Sequence, residues 1–254
     1  MPGSPRAEHE PAAGQAPAQV SLVCCGLNGT LVADEGLAER SFAEAIATQG
    51  IVPGTSAYAR CMVHVHQARG QAAIDVLRGL FPGSEPRALA AGLAFDRSFS
   101  AAVGRTGLHP VPGAQQAMDN LAAAGLRLCL MSGLSRSVLR VVLDAVGWWD
   151  RFDAVLCMDD VPRGCPYPDL VLTAMLRLGV DDVRQAAVVH ATASGILSGR
   201  RSGAGLVAAV LTGAHAQARL RDAGADRLLR SIAELPELIG VPDRAKHDDA
   251  RTTA

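Results

Sequence analysis

Apolar residues near the start of the chain form one run of strand length. It begins at Val20, continues through Leu22, Val23 and two cysteines, and closes on the turn Gly29-Thr30 before the acidic stretch 34–36. A run that is apolar at successive positions is typical of a parallel strand buried on both faces, which delivers its last residues to a crevice. We therefore expect the functional site at the end of this strand.

A block of helical periodicity follows, in which apolar residues recur at intervals of three and four. No run of strand type interrupts it between residues 37 and 108. The helices predicted within it span 37–49, 56–67, 71–80 and 86–103.

From residue 110 onward, short apolar runs alternate with amphipathic stretches. This alternation predicts a parallel sheet covered by helices on both faces, in which ligands bind at the carboxyl ends of the strands. The predicted strands span 126–131, 154–158, 186–190, 206–211 and 226–229, and the predicted helices span 113–124, 135–146, 168–178, 193–202, 215–223 and 231–238.

Composition supports a globular domain without an electrostatic partner. The 254 residues are 49% apolar, the net charge is −1 and no run of Lys or Arg occurs, so neither nucleic acid nor a membrane surface is expected as a partner. Residues 1–18 read as a disordered leader without the apolar segment of a signal peptide, and 241–254 as a disordered tail. We expect a cytoplasmic protein.

Cysteine and lysine usage restricts the chemistry. The six cysteines are scattered without the spacing of a zinc or redox site, so reduced and mostly buried thiols are expected. Cys24 and Cys25 should point to opposite faces of the first strand as core thiols. Lys246, in the polar tail, is the single lysine among 24 basic residues, which argues against a mechanism that needs a buried lysine.

Several stretches together resemble one protein family. The frame Gly-Thr-Leu-Val at 29–32 resembles the first motif of the haloacid dehalogenase (HAD) superfamily, and more closely its phosphonatase-like branch. The resemblance continues over roughly residues 20–238, and its other clear stretches are 130–136, 157–161, 164–169, 188–195, 203–205 and 210–215. It implies a Rossmannoid three-layer α/β sandwich with a parallel sheet. The core would span 19–36 and 109–240, and an inserted α-helical (C1-type) cap would span 37–108.

The same resemblance implies that the family's charged catalytic groups are absent here. HAD hydrolases use an aspartate nucleophile, a second aspartate as acid/base, a basic residue and Mg²⁺-binding carboxylates. The nucleophile position falls on Gly26, the acid/base on Asn28 and the basic residue on Cys165. The metal-side carboxylates fall on Ala191 and Gly195. We therefore expect no metal site and no cofactor.

Other positions of the resemblance keep polar groups. Ser132 and Gly133 match the second motif, which in relatives would hydrogen-bond a phosphoryl oxygen. His190 stands at the end of a predicted strand, where its imidazole should enter the volume of a substrate phosphate. It would either bind ligand or exchange protons there, or plug the site by bonding to Asn28, Ser132 or Thr192.

Four further groups have more than one interpretation. Cys165 is a pocket thiol, a nucleophile or an inert turn residue, and Arg163 either meets an anion or does not. The adjacent carboxylates Asp159 and Asp160 either cap a loop or serve as substitute catalytic carboxylates. On the cap, His64, His66, Arg60 and Arg69 should form solvated surface or line the crevice.

Three functions follow in order of preference. The first is a pseudoenzyme that is not a phosphohydrolase and binds a small molecule or a partner protein between cap and core. The second is a repurposed metal-free enzyme of cyclase, isomerase or lyase type, with His190, Asn28 and Cys165 as catalytic candidates. The third is residual phosphatase or phosphonatase-type hydrolysis.

The sequence leaves open whether the chain forms a homodimer, with Trp148 and Trp149 as packing or dimer contacts. The predicted ligand-binding residues are Gly26, Asn28, Ser132, Gly133, Arg163, Cys165, His190 and Thr192.

Overall fold

Six parallel strands form a single sheet. They are β1 (Leu22–Gly26), β2 (Arg127–Met131), β3 (Ala154–Leu156), β4 (Ala186–His190), β5 (Leu206–Val210) and β6 (Arg227–Leu229). Their order is β3-β2-β1-β4-β5-β6, and every neighbouring pair is parallel. The fully buried β1 therefore lies in the middle, where its continuous apolar character is needed.

Ten α-helices connect and cover the strands in the described ranges. They are α1 (Leu37–Ala47), α2 (Ser56–Gln67), α3 (Ala73–Leu80), α4 (Glu85–Thr106), α5 (Ala114–Ala123), α6 (Arg136–Val146), α7 (Asp169–Leu178), α8 (Ala193–Ser202), α9 (Gln217–Asp222) and α10 (Leu235–Leu238). Side-chain caps begin three of them, because Thr55, Ser135 and Thr192 each accept a hydrogen bond from a backbone N–H of the first turn.

Two apolar layers bury the two faces of the sheet. One contains Cys25 with residues of α5, α6 and α10, and the other contains Cys24 with residues of α7, α8 and α9. Both thiols are fully buried, which confirms the prediction that they are core residues on opposite faces. The predicted three-layer α/β fold is therefore confirmed.

The helices α1 to α4 all lie within the segment predicted as the cap. Phe42 of α1 packs on Phe95 of α4 with ring centroids 4.5 Å apart, and Phe99 extends this aromatic contact along α4. These side chains join the same apolar cluster as one face of the sheet, so the helices are packed onto the core rather than held away from it.

Some predicted boundaries are wrong. The strand predicted over 154–158 ends at Leu156, because the backbone N–H of Cys157 donates to the Asp160 carboxylate and a 3-10 turn follows. The helix predicted from residue 215 begins at Gln217. The helix predicted over 231–238 is a 3-10 turn followed by the short α10.

Trp148 and Trp149 have different surroundings. The Trp148 ring is fully buried in the core, which agrees with its packing interpretation. Trp149 is half-exposed, and its indole N–H donates to Asp144 at 2.6 Å. A dimer contact through Trp149 stays a prediction.

The structure is a computed structural model that describes residues 19–33 and 35–242. The predicted leader, Asp34 and Lys246 lie outside these residues, as does the tail from 243. Val241 was predicted to belong to a disordered tail, but it is buried and its N–H donates to the carbonyl of Pro236 at 2.8 Å. None of the helices in these two ranges combines the length and the apolar character needed to cross a membrane.

Candidate functional site

The site lies where the order in which successive strands are added to the sheet reverses. Connections run from β1 outward to β2 and β3, and then return to β4 on the other side of β1. Such a switch point opens a crevice at the carboxyl ends of the two central strands. Gly26 ends β1 and His190 ends β4, so both stand at this crevice. A cavity of about 120 Å³ lies there beneath the cap helices.

The imidazole ring of His190 fills the space beside the end of β1. A Cβ atom at Gly26 would lie 2.6 Å from His190 Cδ2, and a Cβ at Gly195, in the first turn of α8, would overlap His190 Cγ. The ring is therefore enclosed by two glycines on different elements. By the resemblance, these glycines stand at the nucleophile position and at one metal-carboxylate position.

His190 is a neutral imidazole with a defined tautomer. The backbone N–H of Thr192 donates to His190 Nδ1 at 3.3 Å, and the Thr192 hydroxyl lies 3.0 Å from the same atom. Because Nδ1 accepts from an amide, Nε2 carries the ring hydrogen. Burial, with a smaller effect of His215, lowers the pKa of His190 to about 4. Of the three predicted partners of His190, the structure gives Thr192 and, within the described residues, neither Asn28 nor Ser132.

Six of the eight predicted ligand-binding residues line the cavity. They are Asn28, Ser132, Gly133, Cys165, His190 and Thr192. Gly26 is not among the lining residues, since the His190 ring lies against it.

The structure places Arg163 away from the cavity. Its guanidinium forms a salt bridge with Asp169 at 2.9 Å and stacks over the Tyr167 ring at 4.5 Å. The side chain is 56% exposed and does not line the cavity. The positive charge of Arg163, one interpretation of which was contact with an anion, is therefore paired with the carboxylate of Asp169.

Cys165 is a buried pocket thiol rather than an activated one. It lines the cavity, and burial raises the pKa of its thiol to about 11. A nucleophilic cysteine needs the thiolate at neutral pH, which an electropositive and partly exposed environment would favour. The geometry therefore agrees with the pocket-thiol interpretation.

Asp159 and Asp160 stabilise the end of β3 instead of entering the cavity. Asp159 accepts from the backbone N–H of Arg136 at 2.8 Å. Asp160 forms salt bridges with the guanidiniums of Arg136 and Arg177 and accepts from the Cys157 N–H. Neither carboxylate lines the cavity, and both act as local caps. Their positions give no support to the interpretation of Asp159 and Asp160 as substitute catalytic carboxylates.

The cap contributes three polar residues to the lining, of which the sequence analysis named Arg69 as a candidate for lining the crevice. Glu39, Arg69 and Gln71 line the cavity. Glu39 forms a salt bridge with Arg69 and a second with His66, whose Nε2 lies 3.0 Å from the carboxylate. The hydrogen bond from His66, together with Arg69, lowers the pKa of Glu39. The one guanidinium among the lining residues is thus neutralised by a carboxylate from the same part of the fold.

His215 is a further titratable lining residue that the sequence analysis did not select. It follows β5, and its Nδ1 accepts from the backbone N–H of Ala193 at 2.9 Å. The signal was present, because 210–215 belongs to the resemblance and begins at a strand end. The periodicity instead suggested that His215 begins a helix.

The cap loop docks closely on the core at this site. The Ser194 hydroxyl donates to the carbonyl of Arg69 at 3.0 Å, and the Ala73 N–H donates to the carbonyl of Gly133 at 3.2 Å. Between them, Gly70 has a φ of +83°, and a Cβ there would overlap the hydroxyl oxygens of Thr192 and Ser194. Gly70 therefore permits the close approach of cap and core.

Gly70→Ala should lower the free energy of unfolding by about 2 to 4 kcal/mol. About 1 kcal/mol comes from the left-handed backbone and the rest from the steric overlap. Gly83→Ala is the matched control, since Gly83 has a φ of +78° and nothing within 4 Å of its Cβ position. Urea denaturation of both variants measures the difference. Equal losses would show that the contact between Gly70 and the core contributes nothing.

The described residues at this crevice do not fit the Mg²⁺ that the fold family implies. Magnesium prefers carboxylate oxygens, and the lining carboxylate, Glu39, already pairs with Arg69 and His66. The space facing Gly26 and Gly195 holds an imidazole ring. Across the described ranges, no group of three or more His, Cys, Asp or Glu residues is arranged to hold a metal ion.

Comparisons with known proteins agree with the fold and its ancestry. The phosphonoacetaldehyde hydrolase of Bordetella pertussis is 32% identical over 154 residues, which cover 52% of this chain and 56% of that protein. The phosphonoacetaldehyde hydrolase of Pseudomonas fluorescens is 36% identical over 104 residues, or 41% of this chain and 38% of that protein. The matches thus span less than two thirds of these relatives.

A solved structure extends the likeness to most of the chain. The phosphonoacetaldehyde hydrolase-like protein from Oleispira antarctica superposes with a TM-score of 0.76 over 91% of this chain and 95% of that one. Its 20% identity makes this a likeness of fold alone. The model of the haloacid dehalogenase-like hydrolase family matches residues 20–203. The chain therefore belongs to the haloacid dehalogenase-like hydrolase family, and the predicted resemblance to the phosphonatase-like branch is confirmed.

Proposed function

We propose that this member of the family is a pseudoenzyme that does not hydrolyse phosphoryl or phosphonate bonds. Its cavity between cap and sheet binds a small, uncharged and largely apolar molecule. The observation that carries the proposal is the position of the His190 ring between Gly26 and Gly195. Losing a nucleophile alone costs a factor of about 10⁴ to 10⁶ in rate. Here the space for a replacement side chain is also occupied.

The lining of the cavity supports an uncharged ligand. Its apolar walls come from both parts of the fold, including Phe42 and Phe95 of the cap and Leu170 of the core. A dianionic phosphate would require cations to offset its desolvation, but Arg69 already pairs with Glu39. The position of the cavity between cap and sheet favours a small molecule over a protein partner.

The titratable groups of the cavity support binding over proton transfer. A general acid or base is most effective when its pKa lies near the working pH. The pKa values of His190 and His215 are lowered to about 4, in both cases mainly by burial, and that of Cys165 is raised to about 11. None of these three groups is poised for the cyclase, isomerase or lyase chemistry of the alternative proposal.

The test is an assay of phosphate release by the full chain with Mg²⁺. We expect no turnover of p-nitrophenyl phosphate or phosphonoacetaldehyde above the buffer rate, while the phosphonoacetaldehyde hydrolase of Bordetella pertussis, assayed in parallel, cleaves its substrate. The Asn28→Leu variant serves as a control for contaminating hydrolases. Mg²⁺-dependent release that disappears in this variant would overturn the proposal, because it would locate hydrolysis in this cavity.

A further inference from the structure

Exposed apolar residues form a stripe along the outer face of α4. Leu89 and Leu93 are about one helical turn apart and are 48% and 64% exposed. Pro86 and Ala90 lie on the same face of the helix and are exposed as well. These four residues form the α4 stripe. The opposite face of α4 is buried in the apolar core, where it includes Phe95.

The α4 stripe departs from the usual pattern of a surface helix. Such a helix carries polar residues on the face that points away from the core. Isolated apolar residues are common on protein surfaces, but two leucines on adjacent turns of one helix form a continuous patch. Covering this patch would remove both leucines from water, and burial of this kind is the main favourable contribution to protein association.

The spacing of residues along α4 makes the stripe complementary to itself. Leu89 and Leu93 are equally distant from Ala91 along the chain, and so are Glu85 and Arg97. A two-fold axis at the level of Ala91 therefore places Leu89 against Leu93 of a second copy, with the two α4 helices antiparallel. In an interface of this symmetry each contact occurs twice.

The two ends of the stripe carry opposite charges. At the N-terminal end, Glu85 and Asp75 share the guanidinium of Arg78, at 2.7 and 3.4 Å, so two carboxylates meet one cation. The other cation of this turn, Arg87, is stacked on an aromatic ring of the cap at 4.6 Å. Beyond the other end, Arg97 is exposed and forms no ion pair within the described residues. Antiparallel pairing brings the acidic end of one copy to Arg97 of the other, whereas parallel pairing would bring like charges together.

We propose that the α4 stripe is the contact between two copies of this chain, paired through antiparallel α4 helices about a two-fold axis near Ala91. Leu89 and Leu93 of both copies form its apolar centre, and Glu85 and Arg97 form its charged rim. One pair of helices buries an area at the low end of specific interfaces, so the dimer forms reversibly at micromolar concentration. The contact lies on the outside of the cap and does not depend on what the cavity binds.

Sedimentation equilibrium of the full chain, from micromolar to millimolar concentration, measures the association. Leu93→Glu places a carboxylate against Leu89 of the second copy, twice in each dimer, and should weaken association by about a hundredfold. Leu176→Glu is the control, because Leu176 lies on α7 and is 83% exposed. It should leave the dissociation constant unchanged. Thermal melting checks that both variants fold, and Leu89→Glu, with the same expected loss, replaces Leu93→Glu if that variant does not.

Two charge reversals test the antiparallel arrangement. Arg97→Glu and Glu85→Arg should each weaken the dimer about threefold to tenfold, because like charges then meet at the rim. An equimolar mixture of the two variants should recover the affinity of the unaltered chain, since both rim contacts of the mixed dimer again join opposite charges. Recovery that occurs only on mixing identifies a contact between copies.

A chain that stays monomeric up to millimolar concentration would overturn the proposal and leave the α4 stripe to a partner of another sequence. A dimer that Leu93→Glu leaves intact would overturn it as well, and dissociation by Trp149→Ala would then locate the contact at Trp149. A mixture that associates no more tightly than either charge variant alone would rule out the antiparallel arrangement. The separate assay of phosphate release tests the pseudoenzyme proposal independently of these results.

Discussion

Gly26→Asp, which places the family's nucleophile at the end of β1, should lower the free energy of unfolding by about 5 kcal/mol. A Cβ at this position would lie 2.6 Å from the His190 ring, and overpacking of this kind costs about 1 to 3 kcal/mol. The carboxylate would also be buried without a cation, which costs several kcal/mol more. Urea denaturation at pH 7 measures the loss.

Two further variants separate these causes. Gly26→Ala should show only the steric loss of about 1 to 3 kcal/mol. Combining Gly26→Asp with His190→Gly should recover a similar amount, because the aspartate then occupies the space the ring has left. A double-mutant cycle without coupling would show that His190 and position 26 do not compete for one volume.

Acidification should destabilise the protein between pH 6.5 and 4. Burial lowers the pKa values of His190 and His215 to about 4, whereas the ordinary value of the unfolded chain is about 6.5. In this window the unfolded chain binds protons that the folded chain does not. Stability is therefore complete above pH 6.5 and falls as the pH drops toward 4. Each histidine contributes about 3 kcal/mol to this loss.

Variants without the titrating ring assign the pH dependence to these residues. His190→Asn and His215→Asn each remove the titrating ring and can keep an acceptor for the backbone N–H of Thr192 and of Ala193, respectively. Each should reduce the destabilisation measured by urea denaturation between pH 6.5 and 4, because one ring no longer takes up a proton on unfolding. A curve that neither variant alters would mean that both histidines titrate as they do in the unfolded chain.

The sequence predicted which strand ends form the site, because the end of a strand can be recognised from the local pattern of apolar residues. The run at 186–190 and the helix at 193–202 have the predicted bounds, and they bring His190 and Thr192 to the edge of the sheet. The apolar run that closes on the turn at 29–30 located the end of the other central strand, which the structure places at Gly26. Periodicity and strand ends therefore sufficed for the core part of the cavity.

The remaining part depended on contacts that no local pattern encodes. Arg163 was expected to face an anion, but Asp169 and Tyr167 hold it at the surface. Glu39 and Arg69 reach the cavity only because the cap folds back over the sheet. Such contacts decide whether a polar residue faces the cavity or the solvent. Some of them join residues that are distant in sequence, and others, such as the pairing of Arg163 with Asp169, divert a side chain from the cavity to a nearby partner.

The enclosure of His190 between Gly26 and Gly195 was also beyond the sequence. The resemblance identified both glycines as positions of lost carboxylates, and it suggested that His190 enters the phosphate volume. Only the structure shows that the three residues are in contact, with the His190 ring lying against both glycines. A single imidazole thus fills the volume beside both glycines.

The central claim is that this ring occupies the reaction centre of the ancestral hydrolase. The most direct measurement is the electron density at the ends of β1 and β4 in crystals grown with Mg²⁺ and inorganic phosphate. We expect the His190 imidazole between Gly26 and Gly195, its Nδ1 bonded to Thr192, and no ion beside it. A divalent ion held there by protein carboxylates, with phosphate bound and the ring displaced, would contradict the account.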